Sequence, residues 1–266
     1  MFDVMADLAV PLSLSVVTDL LGVDVPDVDS FVEVSETIMR SMDAGIAPTT
    51  VNPGLWAREE LNRLVDGWFR ASGRSGLLSH VREHSSAHDD ETLARYVRNT
   101  ARVMFQGGYS TMVAAVGNLV HTLLRHPWVL EVLQDPAVLR PGVDELIRFD
   151  GPVQGTSRFA IGDCEIGGAT VHAGEIVLVL FAAANHDPAQ FEEPDQLVLD
   201  RSPGRHLGFG WGTHACIGTM SAHAALRALI VASREQPRVL RRAGPARRRR
   251  TATMRTFEWL PVTLRP

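Results

Sequence analysis

The sequence predicts a mainly α-helical protein with small β-sheets, and two observations support this fold class. Over residues 1–150, apolar residues recur at helical spacing through most of the segment. Over residues 151–266, short alternating runs are separated by Gly-Asp, Gly-Gly and Ala-Gly turns, which is typical of small hairpins. A chain of 266 residues, 45% of them hydrophobic, suits one large domain or two small ones. We expect a single domain over 1–266.

Four segments of the first part carry an apolar stripe at helical spacing. They are residues 10–22, which end at Gly22, Asp29 to Met42, Trp56 to Phe69, and residues 90–126. Pro127 stops the last of these, and at ~50 Å it is long for a helix in a globular protein. Residues 43–54 and 80–90 are predicted to be loops.

The loop predicted over 80–90 contains three histidines at intervals of four residues. His80, His84 and His88 could line one helix face and bind a metal ion. The neighbouring Ser-Ser and Asp-Asp pairs favour a solvated loop instead.

The second part is predicted from its turns and proline residues. After Pro141 a short helix carries Asp144 to Arg148, and strands follow over 156–161 and 176–181. An apolar segment rich in small residues, 219–233, predicts a late helix. The run Arg247–Arg250 is predicted to be a solvated surface, with a nucleic-acid patch as the less favoured alternative.

The composition excludes several classes of function. A net charge of −5 gives no general attraction to nucleic acid or to a membrane surface. All 26 basic residues are arginine. Cys164 and Cys216 could form at most one disulfide, which suits a reducing compartment. No apolar run approaches the ~20 residues of a membrane span, and the N-terminus lacks the order of a signal peptide, so we expect a cytoplasmic protein.

The most informative segment is residues 206–218, in which Cys216 lies among four glycines. Glycine lets the backbone adopt φ > 0 and approach a flat ring closely. A thiolate presented in this way can ligate haem iron, and the predicted helix after it would place the sulfur where backbone N–H groups favour negative charge. A free buried cysteine in a glycine-rich loop is the simpler alternative.

The pattern Phe-Gly-x-Gly-x-His-x-Cys-x-Gly, from Phe209 to Gly218, resembles the cysteine loop of the cytochrome P450 family. The resemblance implies a helical fold around haem b, with Cys216 as the metal ligand and Phe209 and Gly210 against the cofactor. It also implies a monooxygenase that acts on a small, secondary-metabolite-like substrate. A separate ferredoxin-type donor would supply the electrons.

Other residues match family positions around that cofactor. By resemblance, Arg158, His206 and His214 would contact the haem propionates. Glu145-x-x-Arg148 resembles the family's Glu-x-x-Arg motif, and its partner would be Arg201, with a structural role.

The segment from Gly107 to Thr111 resembles the family's oxygen-binding motif, (Ala/Gly)-Gly-x-(Asp/Glu)-Thr. A pair of glycines within a helix costs about 1 kcal/mol each, which indicates either close helix packing or room for a ligand. The resemblance implies that Gly107 and Gly108 make room for O₂ and that Thr111 hydrogen-bonds it or a water. Ser110 stands where the family has an acid; its hydroxyl can relay a proton through water.

The resemblance covers nearly the whole chain, yet roughly the first quarter to third of a typical family member has no counterpart. We therefore expect an N-terminally truncated P450-like fold. The alternatives to a monooxygenase are a truncated pseudoenzyme or scaffold and a haem-binding fragment that pairs with another chain.

Overall fold

The computed structural model describes residues 1–70, 74–84, 90–201, 205–236 and 238–265. Its helices are α1 Val10–Leu21, α2 Val28–Ser41, α3 Val51–Arg70, α4 Leu77–His84, α5 Asp90–Arg125, α6 Trp128–Val132, α7 Pro136–Asp150, α8 Phe181–Ala184 and α9 Thr219–Glu235. A π-helical turn, Met5–Ala9, leads into α1, and 3₁₀ turns cover Pro48–Thr50 and Gly212–His214. The mainly α-helical fold class is confirmed.

The strands form small antiparallel sheets. They are β1 Phe2–Asp3, β2 Thr156–Phe159, β3 Cys164–Ile166, β4 Ala169–Val171, β5 Ile176–Val179, β6 Val239–Arg242, β7 Arg247–Arg248, β8 Phe257–Trp259 and β9 Pro261–Arg265. The strands β1 and β6 flank β9, so both ends of the described chain lie in one sheet. The predicted hairpin strands are confirmed, because β2 pairs with β5 and β3 with β4.

The long helix α5 organises the core. It contacts α1, α2, α3, α4, α7 and α9. Its N-terminal half packs into an aromatic cluster in which the ring centroid of Phe105 lies 4.5 Å from that of Trp68 and 4.8 Å from that of Phe31. Its C-terminal half packs, through Val116 and Val120, into a second apolar cluster with α7 and α9. Two apolar clusters thus lie along one helix.

Several predicted boundaries are confirmed. Helix α1 ends at Gly22, whose φ of 72° needs glycine and whose N–H donates to the carbonyl of Thr18 over 2.9 Å. Helices α2, α5 and α9 begin and end within one or two residues of the predicted positions.

Two helix starts were predicted too late. Helix α3 begins at Val51 and contains Pro53 in its first turn. Proline is tolerated there, because the first N–H groups of a helix have no acceptor within the helix. Helix α7 begins at Pro136 and includes Pro141, because the side chain of Asp135 accepts a hydrogen bond from the N–H of Ala137 over 2.8 Å and caps the helix.

The loop prediction over 80–90 is wrong for residues 80–84, which belong to α4. Leu78 is buried there against the aromatic cluster, with Val81 packed beside it, so apolar contact stabilises the helix. His88 lies outside the described residues. Among the residues that are described, no group of three or more His, Cys, Asp or Glu side chains could hold a metal ion.

The prediction of a solvated Arg247–Arg250 run is wrong for its middle. The guanidinium of Arg248 lies 4.1 Å from the ring centroid of Phe257 and 3.0 Å from a carboxylate oxygen of Asp150. Arg249 forms a two-pronged ion pair with Glu36. These arginines connect the hairpin of β7 and β8 (the C-terminal hairpin) to α7 and α2.

In the described part of the chain, no helix has both the length and the apolar character needed to cross a membrane.

Candidate functional site

The cysteine loop is a chain of tight turns that only glycine allows at two places. Gly210 has a φ of 68° and Gly212 a φ of 73°, both in the left-handed region. The N–H of Gly210 donates to the carbonyl of Leu207 over 2.9 Å, and the N–H of Cys216 donates to the carbonyl of Phe209 over 2.8 Å. These bonds fold the loop back on itself and fix the backbone of Cys216.

Cys216 lies at the end of this loop, just before α9. Its thiol is free and exposed, so the alternative of a buried cysteine is wrong. Gly218 is the N-cap of α9, and a Cβ atom added there would lie 3.6 Å from the Cys216 sulfur. The hydroxyl of Thr219 donates to the Cys216 carbonyl over 2.8 Å. The sulfur is therefore held at a helix start, accessible to a ligand.

The loop packs closely on α7. A Cβ atom added at Gly208 would lie 2.4 Å from Cγ2 of Ile147, closer than any side chain could be accommodated. The N–H of Leu207 donates to the side-chain oxygen of Asn185 over 2.6 Å. Both contacts fix the position of the loop relative to the helical part.

Glu145, Arg148 and Arg201 are brought together in a buried network. Arg148 donates to both carboxylate oxygens of Glu145, over 2.7 and 2.8 Å, and Arg201 Nε donates to Glu145 Oε2 over 3.1 Å. Arg148 also donates to the carbonyls of Asn185 and Pro194. The network ties α7 to the irregular segment that leads to the cysteine loop.

The three cationic candidates differ in their surroundings. Arg158 is exposed on β2, where it donates to the Thr156 hydroxyl and the Ser157 carbonyl, and His214 is exposed in the 3₁₀ turn. Neither forms an ion pair with any residue that the structure describes. The ring of His206, in contrast, accepts from the N–H of Gly208 and contacts Asp144. Arg158 and His214 thus have donors free for an anion, whereas His206 has both ring nitrogens engaged.

The sequence did not predict that Asp144 contacts two histidines behind the loop. Asp144 Oδ1 lies 3.0 Å from Nε2 of His223, in α9, and 3.3 Å from Nε2 of His206. The ring of Phe209 packs between the two histidines, with centroids 5.8 and 5.6 Å away. No local motif marks His223, since it lies in a run of small apolar residues.

The two adjacent glycines of α5, Gly107 and Gly108, have different environments. A Cβ atom at Gly108 would lie 3.3 Å from Cγ2 of Val17, so α1 packs closely there. A Cβ atom at Gly107 would meet nothing within 4 Å, and the residue is exposed. The hydroxyl of Thr111 donates to the Gly107 carbonyl over 2.6 Å. Of the two explanations for a glycine pair, packing fits Gly108 and room for a ligand fits Gly107.

Ser110 points elsewhere. It is buried, donates to the carbonyl of Gln106 over 2.9 Å and accepts from the Gln106 side chain over 2.8 Å. Its oxygen lies 3.1 Å from that of Ser35, in α2. Its hydroxyl thus faces α2, and a proton-supplying role remains a prediction.

Comparison with known proteins identifies the chain. The sequence pattern that defines cytochrome P450 matches residues 69–232, more than half of the chain and including Gly107, Glu145, Arg158 and Cys216. The chain belongs to the cytochrome P450 family.

Individual P450s match over almost the whole chain. The sequence is 32% identical over 276 residues to "Putative cytochrome P450 140" of Mycobacterium tuberculosis, covering 99% of this chain and 62% of that protein. It is 33% identical over 244 residues to 20-oxo-5-O-mycaminosyltylactone 23-monooxygenase of Streptomyces fradiae, covering 90% of this chain and 56% of that one. The chain therefore spans less than two thirds of the length of these relatives.

Solved P450 structures share the fold. The structure of CalO2 superposes with a TM-score of 0.85 at 29% identity, covering 100% of this chain and 68% of that chain. The mycinamicin VIII C21 methyl hydroxylase MycCI of Micromonospora griseorubida gives 0.85 at 28% identity, covering 98% and 67%.

The family implies a haem, and the residues present fit one. A haem is flat and apolar, with an iron centre and two carboxylates at its edge. The chain offers the accessible thiol of Cys216, the exposed side chains of Arg158 and His214, and the open backbone at Gly107. Large apolar side chains are also exposed, among them Val103 at 66%, Leu178 at 70% and Ile217 at 84%, and an apolar ring can cover such groups.

Proposed function

We propose that this P450 is a haem-thiolate monooxygenase that inserts one atom of O₂ into a small organic substrate. The observation that carries the proposal is the accessible Cys216 thiol, held by a glycine-rich loop at the start of α9. The overall reaction takes RH, O₂, two electrons and two protons to ROH and water. We treat the chain as one domain that acts in the cytoplasm.

The haem, taken as haem b, would be held by Cys216 through its iron and by Arg158 and His214 through its carboxylates. When bound, it supplies an iron centre whose thiolate ligand donates electron density and favours cleavage of the O–O bond. Phe209, Gly210 and the Glu145–Arg148–Arg201 network keep Cys216 in place, since its N–H is bound by the Phe209 carbonyl.

Residues of α5 would act on the oxygen side. Gly107 leaves space beside the helix, and Gly108 lets α1 support the helix from behind. The Thr111 hydroxyl can turn from the Gly107 carbonyl to donate a hydrogen bond to oxygen or to a water. Ser110 has no titratable proton near neutral pH, so it would pass protons between oxygen atoms rather than store them.

The substrate class follows from the relatives. One is named as the 23-monooxygenase of 20-oxo-5-O-mycaminosyltylactone, and another as the omega-hydroxylase of beta-dihydromenaquinone-9. We propose an apolar secondary metabolite as substrate and a ferredoxin-type protein as the electron donor.

The test is a carbon monoxide difference spectrum of the 266-residue chain after addition of haem and reduction. We expect the red-shifted Soret band of thiolate-ligated haem. Cys216→Ser should abolish the band, whereas Cys164→Ser, which removes the other exposed thiol, should retain it. A band that survives Cys216→Ser would refute the assignment of the ligand. With the spectrum established, incorporation of ¹⁸O from ¹⁸O₂ into a macrolactone or quinone tests the reaction.

A further inference from the structure

A cavity of about 330 Å³ lies on the other side of α5 from the exposed Gly107. It is enclosed by the start of the chain, α2, α5 and the C-terminal hairpin, and most of its wall is apolar, including Met5, Val32, Val113, Met254 and Phe257. This volume is at the lower end of the range of small-molecule sites. The cavity can therefore hold one compact ligand.

The cavity is distinct from the proposed haem site. A helix advances ~100° per residue, so Tyr109 projects ~200° around α5 from Gly107, and Val113 projects ~200° from Thr111. Within the described residues, the cavity wall contains Tyr109, Ser110 and Val113 but not Gly107, Thr111 or Cys216, so Ser110 is the one residue that it shares with the proposed oxygen side.

Tyr109 supplies a hydroxyl to the cavity, whereas the oxygens of Ser35 and Ser110, also in the wall, lie 3.1 Å from each other. Only 4% of the residue is exposed, and its ring packs edge-on against Phe31 at 4.8 Å. Its hydroxyl makes no hydrogen bond to any part of the chain that the structure describes. Burial, and next the negative charge of Glu36, raise the pKa of Tyr109, so the hydroxyl keeps its proton at neutral pH. A ligand oxygen in the cavity can accept the hydrogen bond that this hydroxyl has to offer.

Most of the charged groups in the described wall have partners. Glu36 is paired with Arg249, and Glu258 lies 2.8 Å from Arg247. The carboxylate of Asp3 accepts backbone N–H groups, including that of Leu260 over 2.9 Å. Arg40 lies 3.4 Å from Glu36, and Asp29 is exposed to solvent.

We propose that this cavity binds a compact, uncharged, apolar molecule with a single carbonyl oxygen, which accepts a hydrogen bond from Tyr109. The apolar wall selects the body of the ligand, and the paired charges disfavour an ionic one. The site does not depend on haem, because its wall consists of side chains of this chain.

The test uses cyclododecanone labelled with ¹³C at the carbonyl, titrated into the full chain before haem is added. We expect one ketone per chain, with a downfield shift of the carbonyl signal that reports the hydrogen bond. Tyr109→Phe should weaken binding about three- to tenfold and remove the shift, because it deletes one hydrogen bond. Deleting an unpartnered hydroxyl should leave the melting temperature of the free chain unchanged or higher.

Two bulky substitutions locate the site. Val113→Trp fills the cavity and should abolish binding, whereas Val103→Trp places the same bulk on an exposed position of α5 and should leave the affinity unchanged. The opposite pattern would put the ketone on the Gly107 side and overturn the proposal. Absence of binding to the unmodified chain would also overturn it, whatever the haem spectrum shows. If Val113→Trp fails to fold, Tyr109→Phe decides alone: unchanged affinity and an unchanged carbonyl shift refute the site.

Discussion

Asp144 Oδ1, in α7, lies 3.0 Å from Nε2 of His223, in α9, and this contact fastens the two helices together behind the cysteine loop. His206 of the loop contacts the same oxygen. Burial raises the pKa of Asp144, but hydrogen bonds from His206 and His223 and their charges outweigh it and hold that pKa well below its usual range. Such a carboxylate stabilises the fold above its unfolded pKa of ~4, and that stabilisation is lost as the pH falls through its folded value.

Asp144→Asn should therefore lower the melting temperature by about 2–4 °C at pH 7, and the difference from the unmodified chain should shrink towards pH 3. Differential scanning calorimetry at both pH values measures this. Asp163→Asn is the matched control, because Asp163 contacts His172 with both side chains about two-thirds exposed, and it should have no effect. A difference that stays constant from pH 7 to pH 3 would contradict the explanation.

His121 should make the fold sensitive to acid. Burial, and next the positive charge of Arg248, lower the pKa of His121 to about 4, and its ring centroid lies 4.8 Å from that of Phe257. The unfolded chain takes up a proton at ~6.5, so stability falls as the pH drops from there to about 4. His121→Phe should reduce this fall, measured as the free energy of unfolding in urea at pH 7 and pH 5. Replacement of the exposed His172 by Gln should leave this loss of unfolding free energy between pH 7 and pH 5 unchanged.

Glu145→Gln should destabilise the fold by about 3 kcal/mol, because it leaves the fully buried Arg148 without its counter-charge. Arg201→Gln should reduce the free energy of unfolding by less, since the Arg201 side chain is 13% exposed and Glu145 remains paired with Arg148. Urea denaturation midpoints of the two variants, at equal m-values, give the comparison. Equal losses would show that Arg148 is not the dominant partner.

Gly107→Ala should stabilise the free chain by about 1 kcal/mol, because alanine favours the helix and the added Cβ meets nothing. Gly108→Ala gains the same helix propensity but brings its Cβ to 3.3 Å from Val17, so the net gain should be smaller. Thermal melts followed at 222 nm compare them. A larger rise in melting temperature for Gly108→Ala than for Gly107→Ala would mean that α1 shifts at little cost to accommodate the added Cβ.

Local signals in the sequence explain which parts of the fold were predictable. The ends of α1 and α5 follow from an apolar stripe with Gly22 or Pro127 after it, all within a few residues. The start of α7 depends on the cap at Asp135, which precedes the apolar stripe and carries no periodicity of its own. A cap next to an apolar stripe, such as Gly22, was therefore predictable, whereas the cap at Asp135, which lies before the stripe, was not.

The same distinction applies to the candidate site. The turns around Gly210 and Gly212 are local, so the motif identified the loop of Cys216. The contact between Ser35 and Ser110 joins residues 75 positions apart, and nothing near either residue indicates it. Arg249 likewise looked like a solvent-exposed cation, because its partner Glu36 lies far away in the sequence.

Helix α5, about 10 Å in diameter, separates the face that carries Gly107 from the cavity beside Tyr109. A molecule beside Gly107 and a molecule beside Tyr109 would be separated by about one helix width. If one changes the affinity of the other, thermodynamic reciprocity makes that influence equal in both directions. The absorbance of a haem on one side would then serve as a gauge of occupancy on the other.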